Sequence, residues 1–224
     1  MEKADLFFGR LFAIILGIDM DYFEYLRHFI KRDSSLLYEI ENDSKRRDDI
    51  QPSVEPELGK FLGLVVKLTN AGNILEIGSG IGYSTIWLAE AAKSTDGKVV
   101  TIDNHKRTHM ELVRNISNAG LDKWIEIKHG NAEDIVPTLS GSWDIVFQDG
   151  GKYLYPLIYE QIFNLTRTGG LILADDTLFK VNPNVRKGLG NYMDEYNRIV
   201  FADSRLYSTI LPVGHGITVS LKLE

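Results

Sequence analysis

Asp149, Asp175 and Asp176 are the residues from which chemistry can first be argued. Each stands just after a short apolar run, WDIVFQ before Asp149 and GGLILA before the other two, so each marks the end of a buried strand. Three carboxylates at the ends of neighbouring strands resist ionising together. A hard divalent cation such as Mg²⁺ resolves that conflict, because it takes oxygen ligands and keeps some waters. The competing reading is that one or more of them caps a helix or pairs with Lys152 or Lys180.

A second group lies in LEIGSGIGYS, from Leu75 to Ser84. Ile74, Leu75 and Ile77 read as an apolar strand, and Gly78, Gly80 and Gly82 let the backbone turn sharply and approach a ligand. The helix starting near Tyr83 would aim its N-terminal amides at that ligand. A dinucleotide fingerprint would need a third glycine at the position of Tyr83, which counts against it. Glu76, before the first glycine, matches instead the Glu/Asp-x-Gly-x-Gly pattern of methyltransferases that use S-adenosylmethionine (SAM). Asp103 ends the next strand, where an acid can accept hydrogen bonds from both hydroxyls of an adenosine ribose or cap the following helix. Gly130, Asn131 and Ala132 follow the third strand, where adenine can be met by backbone groups and small side chains. His105 and His109 have helical spacing, but HKRTH lacks the glutamate of a hydrolytic zinc motif.

These positions require strands at 73–77, 98–103, 125–128, 143–148 and 170–174. The spacing predicts helices at 57–71, 83–92, 106–119, 133–139 and 155–165 between and before them. Alternation of β and α implies a parallel sheet covered on both faces. In the tail, a helix over 183–199, with Pro183 in its first turn, precedes strand-like runs at 205–211 and 216–223. Residues 1–51 read as two or three helices, and 52–224 as the main domain. The mixed-sign segment Asp43–Asp49 reads as a solvated loop or helix end, or as phosphate contacts from Lys45, Arg46 and Arg47.

The chain has 224 residues and a net charge of −6, which argues against a protein that coats nucleic acid. It contains no cysteine, so disulfides, thiolate catalysis and Cys-based zinc sites are excluded. The apolar run Leu11–Ile18 is too short to span a bilayer, and its acidic flank is not that of a signal peptide. The expectation is a cytoplasmic protein without a membrane segment. Phe7, Phe8 and Phe12 suggest a homodimer contact.

Together these motifs resemble the cation-dependent SAM O-methyltransferases of the catechol and caffeoyl-CoA O-methyltransferase type. LEIGSGIGYS resembles that family's first SAM motif, WDIVFQDGGKYLY and GGLILADDTLF its metal segments, and LPVGHGITVS its closing hairpin. The likeness runs from about Pro52 to the C-terminus. It implies an α/β, Rossmann-like class I SAM methyltransferase with a seven-stranded, mostly parallel sheet, an antiparallel C-terminal hairpin and extra N-terminal helices. It further implies that Val54, Glu76, Gly78, Ser84, Asp103, Ala132 and Asp149 surround SAM, and that Asp149, Asp175 and Asp176 hold Mg²⁺ or another hard divalent cation. Lys152 would be the general base, with Tyr155 matching the tyrosine that often follows it. The chain departs from the pattern at Asp176, where asparagine is usual, at Phe179, where tryptophan is usual, and at His215, where the hairpin commonly has aspartate.

The expected reaction is in-line transfer of the methyl group of SAM to a hydroxyl of a vicinal diol or catechol-like small molecule. One alternative acceptor is 5-hydroxyuridine in tRNA, with Lys31, Arg32 and residues 45–47 on phosphates; activity falling steeply with salt would mark it. Another is a non-catalytic SAM-binding protein, which would show no methyl transfer and no metal dependence.

Overall fold

The computed structural model describes residues 22–30 and 35–224. The helices expected from Leu6 to Ile18, the aromatic contact of Phe7, Phe8 and Phe12, and the cations Lys31 and Arg32 lie outside the described residues. The chain forms two compact units, Met1–Asp33 and Ser34–Glu224. Within the first unit the described helix is α1 (Tyr22–Arg27).

The second unit runs α2 (Ser35–Arg46), α3 (Pro56–Thr69), β1 (Asn73–Ile77), α4 (Tyr83–Ala92), β2 (Lys98–Asp103), α5 (Lys106–Asn118), β3 (Ile125–His129), α6 (Ala132–Ile135), β4 (Trp143–Gln148), α7 (Leu154–Leu157), α8 (Tyr159–Leu165), β5 (Thr166–Ala174), α9 (Lys187–Ala202), β6 (Leu206–Leu211) and β7 (Ile217–Lys222). The strands form one seven-stranded sheet in the order β3-β2-β1-β4-β5-β7-β6. β1 pairs in parallel with both β2 and β4, whereas β7 runs antiparallel to β5 and β6. Strand order therefore reverses beside β1, and the crevice at its carboxyl end is where an open α/β sheet binds ligands. The expected architecture, with its antiparallel closing hairpin, is the one observed.

Burial explains why the strands were readable. Ile74, Leu75 and Ile77 in β1, and Ile145, Val146 and Phe147 in β4, are all buried, as strands covered on both faces must be. Helix α4 is buried almost throughout. Gly59 of α3 lies against the Trp87 ring of α4, where a Cβ would overlap the indole, so these helices cross closely.

Element ends differ from expectation for local reasons. Helix α3 stops at Thr69 because Asn70, at φ 49°, takes the left-handed capping position and donates its N–H to the carbonyls of Lys67 and Val66. The helix expected over 133–139 is α6 followed by a 3₁₀ turn at Val136–Thr138, since Pro137 has no N–H to continue an α-helix. The helix expected over 155–165 breaks at Ile158, which leaves helical geometry at φ −104° and ψ 14°. The tail helix starts at Lys187 rather than Pro183: Asn182 accepts the Asn184 N–H through its side-chain Oδ1, at 3.0 Å, and the Val185 N–H through its carbonyl, which turns the chain first. β5 begins earlier than expected, at Thr166, across a register shift opposite Trp143 and Ile145.

Candidate active site

Parallel strands end at one edge of the sheet, and the ladder continues one residue past each end. The Gly78 N–H donates to Ile102 O, Asp149 N–H to Ile77 O at 2.8 Å, and Asp175 N–H to Gln148 O at 3.0 Å. Asp103, Gly78, Asp149 and Asp175 thereby follow one another along the crevice, at the ends of β2, β1, β4 and β5. They open on a cavity of about 630 Å³.

Two carboxylates shape the glycine turn. Asp103 Oδ2 accepts the N–H groups of Ser79 and Gly80, each at 2.9 Å, while its Oδ1 accepts the His105 N–H at 2.8 Å. Glu76 lies fully buried beneath the turn and accepts hydrogen bonds from Ser84 Oγ at 2.6 Å and Thr85 Oγ1 at 2.5 Å. It straps the first turn of α4 to the end of β1. Burial pushes its carboxyl up to about 7, against the lowering effect of those hydroxyls.

The glycines serve different ends. A Cβ on Gly78, at φ +93°, would lie 2.6 Å from the carbonyl carbon of Asp149, so its smallness serves the junction of β1 with β4. Gly80, at φ +51°, has no heavy atom within 4 Å of its Cβ position and lines the cavity. Ser79 Oγ, also on the lining, is buried with no hydrogen-bond partner among the described residues. An open glycine face and an orphaned hydroxyl fit a polar ligand such as SAM.

Asp149, Asp175 and Asp176 each offer a carboxylate oxygen within 4.8 Å of the others. Asp175 is buried, and its Oδ1 has no hydrogen-bond partner among the described residues. An all-oxygen set with one orphaned oxygen suits a hard divalent cation. Burial pushes the Asp149 carboxyl up to about 6, with Lys152 opposing and Asp176 adding to the rise. Burial and the charges of Asp149 and Asp176 push Asp175 well above the carboxylate range. Asp176 moves the other way: burial alone would raise it, but the His215 hydrogen bond and the Lys152 charge hold it low.

Lys152 Nζ stands 2.6 Å from Asp176 Oδ2, 3.3 Å from Asp149 Oδ1 and 3.0 Å from the Tyr155 hydroxyl, which donates in turn to Gln148 O at 2.8 Å. Burial alone would lower the ammonium, but Tyr155 and the three carboxylates outweigh it and hold it well above its ordinary value. Phe179 lies close by, its ring 5.8 Å from Lys152 Nζ and 5.4 Å from the His215 ring.

Of the residues singled out in the sequence, Val54, Gly78, Ser84, Asp103, Ala132, Asp149, Lys152, Asp175 and Asp176 all line this one cavity, and Glu76 lies beneath it. Two features were not read from sequence. Glu55 also lines the cavity, and His215, seen only as a departure, reaches Asp176 across 39 residues of chain. His105 is exposed, whereas His109 is partly buried with its ring 4.5 Å from that of His129. The mixed-sign segment ends α2 in ion pairs, Lys45 with Glu41 and Arg47 with Asp43, Asp49 and Glu111, which occupies two of the cations considered for phosphate.

Fold and crevice together define a class I SAM-dependent methyltransferase, with a glycine turn and a strand-end acid at the reversal of strand order. The sequence profile described as O-methyltransferase matches residues 27–223, and the chain belongs to that family. It is 35% identical over 181 residues to caffeoyl-CoA O-methyltransferase 1 of Nicotiana tabacum, covering 74% of this chain and 75% of that one. It is 38% identical over 130 residues to a catechol O-methyltransferase of Niastella koreensis, a match spanning 56% of this chain and 58% of that protein. Among solved structures, it is similar to an O-methyltransferase from Bacillus cereus in complex with SAH, at TM-score 0.78 and 27% identity, covering 88% of this chain and 95% of that one. The O-methyltransferase TomG from Streptomyces achromogenes, in complex with SAM, gives TM-score 0.79 and 26% identity over 89% and 95%. Among the described residues no helix is long and apolar enough to cross a membrane.

Proposed function

We propose that the protein transfers the methyl group of SAM to one hydroxyl of a vicinal diol or catechol-like small molecule, with a divalent cation held by Asp149, Asp175 and Asp176. The observation that carries this reading is the meeting of three carboxylates within 4.8 Å on the cavity that also holds the glycine turn. Asp103 would receive the ribose hydroxyls, while Ser79, Gly80 and Ser84 would line the methionine end, with Glu76 supporting them from below. A cation at the three carboxylates would supply Lewis-acid polarisation of the acceptor oxygen.

Lys152 would take the acceptor proton, a reading supported by its Nζ lying in reach of two of the three acids. It can act as a base only after the charge that holds its own proton has been neutralised, which ties proton removal to the loaded site. Phe179 offers a flat apolar face beside the carboxylates for an aromatic acceptor.

The test is methyl transfer from labelled SAM to a panel of catechols, with Mg²⁺ or with EDTA. Transfer that requires the cation and is abolished in Asp175→Ala is expected. Transfer undiminished by EDTA would remove the metal from the reading, and transfer to tRNA but to no catechol would replace the acceptor.

A further inference from the structure

We propose that His215 is a positioning residue, whose Nδ1–H holds the Asp176 carboxylate in the orientation that the three-acid cluster needs to take a divalent cation. The inference rests on the metal-centre reading above.

Asp176 is a residue under conformational constraint. Its φ is +65°, a left-handed geometry that L residues other than Asn and Asp rarely adopt. Its two carboxylate oxygens have separate partners: Oδ2 meets Lys152 Nζ at 2.6 Å, and Oδ1 meets His215 Nδ1 at 3.2 Å. A carboxylate held at both oxygens cannot turn about its χ2 torsion. Nδ1 donates in the Nδ1–H tautomer and in the imidazolium alike.

The hairpin that carries His215 is anchored to the segment that carries Asp176. The Thr177 N–H donates to Gly216 O at 2.9 Å, the Leu178 N–H to His215 O at 3.0 Å, and Thr177 Oγ1 to Gly216 O at 3.1 Å. Gly216, at φ +92°, lies so close to Leu178 that a Cβ would overlap its side chain. His215 is therefore delivered to Asp176 by backbone, and Phe179 flanks its ring. Asp176 and His215 are also two of the positions at which the chain departs from its resemblance.

Outer partners of this kind commonly change metal affinity by about 10–100-fold when removed. The test uses the full chain with SAH bound and reads the Mn²⁺ dissociation constant by calorimetry, with SAH affinity as the control for folding. His215→Phe keeps a ring beside Phe179 but has no donor; His215→Asn keeps a donor near the Nδ1 position but no ring. Weakening of Mn²⁺ binding by about 10–100-fold in His215→Phe, with most of the affinity retained in His215→Asn, is expected. Wild-type affinity in His215→Phe, or equal loss in both variants, overturns the role. Should His215→Phe fail to bind SAH, His215→Gln, whose amide reaches past the Nδ1 position, replaces it with the same expected loss. A wild-type chain that takes up no Mn²⁺ overturns the metal-centre reading itself, an outcome distinct from any difference among the variants.

Discussion

Gly78→Ala separates a glycine needed for strand packing from one needed for a ligand. A Cβ built on Gly78 would lie 2.6 Å from the carbonyl carbon and oxygen of Asp149 and 2.7 Å from Gly150 N. These are backbone atoms held by the hydrogen bond from Asp149 N to Ile77 O at 2.8 Å, so they cannot rotate aside as a side chain could. Left-handed backbone costs an L residue about 1–2 kcal/mol. Forcing a methyl group into a packed position costs a further ~1–3 kcal/mol. The expected destabilisation is therefore about 2–5 kcal/mol. Because the displaced atoms belong to Asp149, the affinity for Mn²⁺ should fall as well. Gly80→Ala is the control: with φ +51° and no atom within 4 Å of the added methyl, it carries only the backbone cost, about 1–2 kcal/mol, and leaves Asp149 in place. Urea denaturation in EDTA gives the stability of both variants, and calorimetric titration gives Mn²⁺ binding. Equal destabilisation by the two, or a loss below about 1 kcal/mol for Gly78→Ala with unchanged Mn²⁺ affinity, would refute the reasoning.

Three further outcomes are expected. Lys152→Ala should lower kcat by about 100-fold or more while SAM affinity, measured by titration, stays close to wild type; an unchanged rate removes Lys152 as the base. The Glu76 carboxyl is raised to about 7 by burial, so the folded state keeps a proton that the unfolded chain loses near about pH 4.3. Stability is then lost as pH rises between those two values and stays lost above them. Glu76→Gln removes that loss, and its advantage over wild type should grow by up to about 3 kcal/mol from pH 4 to pH 8; a difference in denaturation midpoint that does not grow with pH contradicts the assignment. Asp144 Oδ2 accepts the N–H groups of Gly72 and Asn73, each at 2.8 Å, and Oδ1 accepts Arg167 Nε. Burial alone would raise this carboxyl, but these bonds hold it below its ordinary value, so its contribution is full above about pH 4 and fades as pH falls through the folded value. Asp144→Asn should lose about 1–3 kcal/mol at pH 7 and show a flatter acid limb in thermal melts; melts that superimpose on wild type from pH 3 to pH 7 would count against the clamp.

Much of the fold was legible because parallel strands bury both faces. Ile74, Leu75 and Ile77, and Ile145–Phe147, therefore stand out as apolar runs, and the acids at the carboxyl ends of such runs mark the ligand edge. That rule picked out Asp103, Asp149, Asp175 and Asp176 without knowledge of the sheet. Helix ends were less legible because they depend on single capping contacts, such as Asn70 in the left-handed region or Asn182 turning the chain before α9. Those contacts compete with propensity over only one or two residues.

The sequence by itself determined the element order, the glycine turn and the acids of the site, since hydrophobic period and strand-end polarity are local properties. Only the tertiary structure decided what each of these does. Gly78 also has to be small for Asp149, because the two meet at the β1–β4 junction. Glu76 supports the turn from below, since both its oxygens are taken by the first turn of α4. His215 meets Asp176 because an antiparallel hairpin folds back onto β5. Contacts between residues far apart in the chain depend on how the sheet closes, and no local pattern of residue types encodes that.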